Sequence, residues 1–362
     1  MNATQQLRAL GQSLWLDNIT RGLLTSGTLA RYIGDFAVTG LTSNPTIFDQ
    51  AIDGNDFYDD AIREKALAGK SGETLFLELA LEDLVRAADL LRPIHDATAG
   101  ADGWVSLEVS PLLADDTAAT VKAAVQLHAH AQRPNVFIKI PGTRAGIPAI
   151  EDAIFAGVPV NVTLLFSREQ YLAAAEAYLR GIERRLATGR DPAVRSVASI
   201  FVSRWDVAVH DKVPAELRNR LGIAIAMRTY KAYRDLLAGP RWADLASRGA
   251  PPQRLLWAST GTKDPAAPDV LYVEALAAPD TIDTMPEKTL LAFADHGRVK
   301  NAIPFDGGSA ESVIAEFADQ GVDPRALAAR LQREGTEAFA KSWRDLMRSI
   351  AAKCETLTKS HA

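Results

Sequence analysis

Lys139 stands in Asn135-Val136-Phe137-Ile138-Lys139-Ile140-Pro141-Gly142-Thr143, an apolar, β-branched run between Pro134 and Pro141 that reads as a buried strand. A lysine is seldom buried unless something pairs or uses it. Taking its ammonium out of water disfavours the charged form, and a neutral amine is a nucleophile. Period-two alternation puts Val136, Ile138 and Ile140 on one face and Phe137 and Lys139 on the other. The bland alternative is a lysine reaching from a strand end to solvent. Pro159-Val160-Asn161-Val162-Thr163-Leu164-Leu165-Phe166-Ser167 is a second apolar strand, with Asn161 and Thr163 on a common face. Each of these polar groups needs a partner, because an unpaired buried amide or hydroxyl costs roughly 1–3 kcal/mol. An amine, an amide and a hydroxyl converging inside an apolar shell are the parts of a covalent lysine site.

Further polar residues fall toward the ends of other apolar runs. Asp17 ends Ser13–Asn18, Thr42 and Asn44 share a face at the end of residues 37–45, Glu108 lies near the end of Trp104–Val109, and Ser199 sits in Val197–Ser203, which leads into Arg204. Each has an ordinary reading alone: Asp17 as a cap, Glu108 as an ion-pair partner, Asn44 before Pro45 as a turn residue, Ser199 as a small filler. Their joint position at strand C-terminal ends favours a site.

The elements that position them alternate. Strands are expected at residues 13–18, 37–45, 104–109, 135–141, 159–166, 197–203, 254–259 and 281–285. Helices are expected over residues 28–36, 73–95, 115–132, 144–156, 168–187 and 215–237, then 309–320 and 324–357. Ser167 with Gln170 forms a capping box before the helix that follows it. Residues 49–70 read as polar and irregular, opening an excursion that becomes helical and reaches to about 100. Eight strands alternating with helices predict one α/β domain over 1–362, a (β/α)8 TIM barrel with extra helices at the C-terminus. An open doubly wound sheet is disfavoured because Asp17-Asn18-Ile19-Thr20 follows the first strand where a glycine-rich phosphate loop would be needed.

Composition narrows the classes. A chain of 362 residues, 47% hydrophobic, can bury a full core. Its net charge of −5 and the lack of a basic run interleaved with aromatics argue against nucleic acid. Cys354 is the lone cysteine, so neither an intrachain disulfide nor a cysteine metal site can form. His95, His128, His130, His210 and His296 are scattered, and no metal is expected. Residues 1–12 lack a signal-peptide core, and no run of about 18 apolar residues could span a bilayer, so a cytoplasmic protein without membrane contact is expected.

The blocks Leu16-Asp17-Asn18, Gly40-Leu41-Thr42-Ser43-Asn44-Pro45-Thr46, Phe137-Ile138-Lys139-Ile140-Pro141, Asn161-Val162-Thr163-Leu164-Leu165-Phe166-Ser167 and Ser199-Ile200-Phe201-Val202-Ser203-Arg204 resemble the transaldolase family in order and over nearly the whole chain. Trp257-Ala258-Ser259-Thr260-Gly261-Thr262-Lys263 and Asp283-Thr284-Met285-Pro286 continue the likeness, and the length is similar to that of its longer branch. The resemblance implies a cofactor-free Schiff-base transfer of a dihydroxyacetone unit from sedoheptulose 7-phosphate or fructose 6-phosphate to an aldose phosphate in the pentose phosphate pathway. It implies that Lys139 forms the imine, that Glu108 shuttles protons through a water held by Thr163, and that Asp17 takes the C4 hydroxyl proton. Asn44 and Asn161 would hold the dihydroxyacetone hydroxyls, Thr42, Ser199 and Ser259 would line the pocket, and Phe201 would shield one side. Arg204 fits the family's phosphate arginine. The second arginine expected after strand seven is replaced by Lys263. The alternatives are an aldolase releasing free dihydroxyacetone and a non-catalytic phosphosugar-binding barrel; a monomer and a homodimer are both compatible with the sequence.

Overall fold

The computed structural model describes residues 1–359. Eight parallel strands close into a barrel in chain order: β1 (Ser13–Asp17), β2 (Val38–Thr42), β3 (Trp104–Glu108), β4 (Val136–Pro141), β5 (Val160–Leu165), β6 (Ser196–Phe201), β7 (Gln253–Ala258) and β8 (Thr281–Met285). Closure comes from β8 pairing with β1, where Leu14 lies opposite Asp283 and Leu16 opposite Met285. Helices lie between the strands, as expected of a (β/α)8 barrel, and further helices follow β8.

Alternation sorts the side chains into two cores. Val136, Ile138 and Ile140 of β4 pack outward with Ala149, Ile150 and Ala153 of the following helix, Gly146–Ala156. Phe137 points inward, where it stacks on Trp104 with ring centroids 4.0 Å apart and meets Trp15 at 6.2 Å. These three rings fill the barrel below the level of Lys139 and give the site an apolar floor. Gly40 is required there, since a Cβ on it would lie 2.4 Å from the Trp15 ring. The Trp15 and Trp104 indole N–H groups donate to Asp102 and to the Gly100 carbonyl, so neither ring is buried with an unsatisfied donor.

The excursion departs from the sequence reading. Residues 49–70, expected to be irregular, are largely helical, with helices Pro45–Asp53 and Asp59–Leu67 ahead of Gly72–Ala97. Asn44-Pro45 looks like a turn but is a helix start: the Asn44 carboxamide oxygen accepts from the Ile47 N–H, and proline at the first helical position has no N–H to leave unpaired. A second difference lies at Ala215–Leu217, which form a 3-10 turn, the helix proper running from Leu221 to Leu237. At the Ser167 cap, the side chain accepts from the Gln170 N–H, but Gln170 reaches back to Phe166 N–H, one residue beyond a standard box.

The last helix, Pro324–Lys359, begins with Asp323 accepting from Arg325 and Ala326 N–H groups. Its buried residues Leu327, Leu331, Gly335, Phe339, Trp343, Leu346 and Ile350 recur at helical spacing along one stripe. That stripe faces the C-terminal end of the barrel. Gln332 donates to the carbonyls of Gly142 and Leu164, Ser342 meets Thr46, Ser349 donates to Asp49, and Lys353 reaches Asp59. The helix therefore runs from the ends of β4 and β5 to the helices that follow β2.

Candidate active site

Register places the central groups side by side. Glu108 pairs with Lys139 across β3 and β4, and Lys139 pairs with Asn161 across β4 and β5, so all three point into the barrel at one level. Lys139 is 6% and Glu108 4% exposed, which rules out a lysine reaching to solvent. The ammonium donates to the Ser43 carbonyl at 2.8 Å and to Glu108 Oε2 at 3.3 Å. Burial raises the Glu108 carboxyl above the usual carboxylate range, against the opposing pull of the Lys139 charge.

Asp17, at the end of β1, accepts from Thr42 Oγ1 at 2.8 Å and from Asn44 Nδ2 at 3.3 Å. Thr42 is itself 2.7 Å from the Thr284 hydroxyl. Burial also raises the Asp17 carboxyl, and the charges of Lys139 and Lys263 and the two hydrogen bonds act the other way.

A cavity of about 340 Å³ opens above these groups, a volume that suits a small ligand. Asp17, Thr42, Asn44, Lys139, Thr163, Ser199, Phe201, Arg204, Ser259 and Lys263 line it. Two of the sequence-derived residues stand behind that wall. Glu108 touches the cavity through Lys139 and otherwise packs among Phe48, Phe76 and Trp343. Asn161 is fully buried, with its amide donating to Ser106 Oγ and its carbonyl accepting from Ser199 Oγ at 2.7 Å. Thr163 is the reverse case: its hydroxyl is buried in the cavity wall with no hydrogen-bond partner, so it is free to hold a ligand hydroxyl or a water. A shift of register between β5 and β6 after Val162, with Leu164 at φ +58°, marks a bulge beside it.

Arg204 and Lys263, which follow β6 and β7 in the chain, both line the cavity. The Arg204 guanidinium lies 5.1 Å from the Phe201 ring centre and 5.8 Å from that of Phe339. Among the described residues neither cation pairs with a carboxylate, although acidic side chains are abundant elsewhere on the surface. Among those residues, too, no three His, Cys, Asp or Glu side chains gather where they could hold a metal ion.

The sequence reading missed Phe339, Thr284, Thr46 and Pro286, all of which line the cavity. Thr284 could have been found, because alternation along β8 puts it on the inward face with Ile282. Phe339 carries no local signal, since on a long amphipathic helix it reads as core.

A model of the transaldolase/fructose-6-phosphate aldolase family matches residues 14–350. The chain belongs to this family. Members similar to it include the transaldolase of Parafrankia sp. (strain EAN1pec), 45% identical over 95% of this chain and 96% of the relative. The transaldolase of Saccharopolyspora erythraea is also 45% identical, over 97% and 98% of the two chains, and that of Thiobacillus denitrificans is 43% identical over 97% and 100%. The family match takes in every strand except the first residue of β1, and it extends along the last helix past Phe339.

Proposed function

We propose that this protein is a transaldolase: it transfers a dihydroxyacetone unit through a Schiff base on Lys139, from sedoheptulose 7-phosphate or fructose 6-phosphate to an aldose phosphate such as glyceraldehyde 3-phosphate or erythrose 4-phosphate. The observation that carries this reading is the Lys139 amine, buried above an aromatic floor, 3.3 Å from a carboxylate and facing a cavity that also holds Asp17. Binding alone would require neither a buried amine nor a carboxyl group on each side of it.

In this mechanism Glu108 accepts a proton from Nζ, and the amine attacks the C2 carbonyl of the donor. The carbinolamine oxygen then leaves as water after receiving a proton, which Glu108 supplies through a water held by the unpartnered Thr163 hydroxyl. A carboxyl with raised proton affinity is suited to both directions of that exchange. Asp17, oriented by Thr42 and Asn44, takes the C4 hydroxyl proton. The C3–C4 bonding pair flows into the protonated imine, leaving an enamine on Lys139 and releasing an aldehyde. Attack of the enamine on the acceptor aldehyde reverses these steps, and hydrolysis of the new imine frees the product. Asn44, Ser199 and Ser259 are assigned to the substrate hydroxyls, with Asn161 holding Ser199 in place, and Phe201 covers one side. Arg204 and Lys263 take the phosphate; each charge-assisted bond of this kind contributes about 1.5–3 kcal/mol.

An aldolase that releases dihydroxyacetone would use the same lysine, so the family model alone leaves it open. The relatives named above, which match almost end to end, are transaldolases, and that favours transfer. Among the described residues no helix is long and apolar enough to cross a membrane.

The test is borohydride reduction in the presence of fructose 6-phosphate, followed by peptide mapping. The adduct is expected on the peptide containing Lys139, and Lys139→Arg is expected to abolish both adduct and turnover, because arginine stays protonated. An adduct on another lysine would sink the mechanism.

A further inference from the structure

Gly335 lies in the interior of the 36-residue helix Pro324–Lys359, where glycine is a poor choice. A tight packing requirement accounts for it. A Cβ at this position would come within 3.0 Å of Leu164 Cδ2 and 3.2 Å of Arg204 Nη1. Phe339, four residues further on the same stripe, presents its ring 5.8 Å from the guanidinium carbon, and Phe201 presents a second ring 5.1 Å away. Among the described residues no carboxylate pairs with Arg204, so its position is set by these apolar and glycine surfaces and not by a counter-ion. Burial also works against its charge, as expected of a cation kept ready for an anion.

We infer that Gly335 and Phe339 form a seat for Arg204, and that this seat on the last helix determines how strongly the site selects phosphorylated over unphosphorylated ketoses. The inference rests on the proposed role of Arg204 at the substrate phosphate. Gly335 leaves room for the guanidinium on the helix side, and the Phe339 ring limits its swing toward Lys139, whose ammonium lies 5.9 Å from the same ring. Phe339 and Arg204 both line the cavity, whereas Gly335 acts from behind. Gly335 is thus a positioning residue that acts through Arg204.

Gly335→Ala tests this, because the added methyl must displace either the guanidinium or Leu164 by a few tenths of an ångström. Inorganic phosphate binding, measured by calorimetry, is expected to weaken about tenfold, and the ratio of kcat/KM for fructose 6-phosphate to that for fructose is expected to fall by a similar factor. In an Arg204→Ala background, Gly335→Ala should add nothing, since the residue it acts through is gone. Phe339→Leu, which removes the ring but keeps an apolar side chain, is expected to lower the same ratio and serves if Gly335→Ala does not fold. Phosphate affinity unchanged in both folded variants, or an effect of Gly335→Ala that adds fully to that of Arg204→Ala, would overturn the seat. Weaker phosphate binding in Gly335→Ala together with no Lys139 adduct in the wild-type protein would support the seat and refute the Schiff-base reading, so the two fail separately.

Discussion

Asp17 and Glu108 are both carboxyl groups that burial drives toward the protonated form, yet their neighbours differ. Glu108 faces the lysine amine from an apolar pocket, while Asp17 faces the cavity with its oxygens held by Thr42 and Asn44. The proposed division of labour follows from that difference. Glu108→Ala is expected to slow imine formation by about 100-fold or more, as loss of a general acid–base does. Asp17→Ala should still form the imine but fail to break the carbon–carbon bond, so a ketose adduct accumulates and can be trapped. Rapid-quench borohydride trapping separates the two, and equal loss of trapping in both variants would contradict the assignment. Asp17 must be ionised to act as a base. Because burial raises its pKa, the acid limb of kcat should lie above the ordinary aspartate value of about 4.

Among the elements, the last helix is tied to the candidate site at the ends of β4 and β5. Gln332 gives its two amide hydrogens to the Gly142 carbonyl at 2.9 Å and the Leu164 carbonyl at 3.0 Å. Those carbonyls belong to the ends of the strands that carry Lys139 and Thr163, and Leu164 holds a left-handed backbone conformation unusual for leucine. The Gln332 amide therefore holds the bulge that aims the Thr163 hydroxyl. Replacing it by alanine leaves two carbonyls short of a donor, with an expected loss of about 1–3 kcal/mol in stability. Gln332→Glu should be worse, since a carboxylate would then face two carbonyl oxygens. Urea unfolding measures the loss, and the trapping rate with fructose 6-phosphate should fall in the same order. A trapping rate that is unchanged while stability falls would confine Gln332 to a structural role.

For the whole molecule, Asp283 gives a pH dependence of stability. It lies on the outward face of β8, fully buried, accepting from Thr260 Oγ1 at 2.9 Å with its other oxygen unpartnered. Burial raises its carboxyl to about 7. A folded-state pKa above the unfolded value means that its contribution to stability is present below about pH 4 and is lost as pH rises through about 7. Wild-type stability should therefore fall between pH 5 and pH 8 by an amount on the order of a few kcal/mol that Asp283→Asn does not show. Urea unfolding of both proteins at the two pH values checks it, and parallel curves would refute it. The interior placement behind this effect was not legible in the chain. The sequence located the strand that carries Asp283, but the burial of that carboxyl depends on the helices packed over the outward face of β8.

The same division holds for the fold and the site. Apolar, β-branched runs located the eight strands, and polar residues toward their ends picked out Lys139, Glu108, Asp17 and Thr163 as candidates that the structure brings to one end, because a parallel barrel gathers strand C-termini together whatever the loops do. Local turn chemistry was weaker evidence. Asn44-Pro45 suits both a turn and a helix start, and only the packing of Phe48 and Ile52 against the core selects the helix. Placement behind the cavity wall was beyond the sequence altogether: Asn161 and Glu108 lie one layer back because closure of the barrel sets how far each side chain reaches. Phe339 and Gly335 belong to a helix nearly 200 residues from Lys139 in the chain, with the spacing of any amphipathic helix. Their approach to Arg204 results from how that helix lies across the barrel mouth, which is decided by contacts at Gly142, Thr46 and Asp59 distant in sequence. A stripe of apolar residues specifies that a helix will be buried on one face; it does not specify against what.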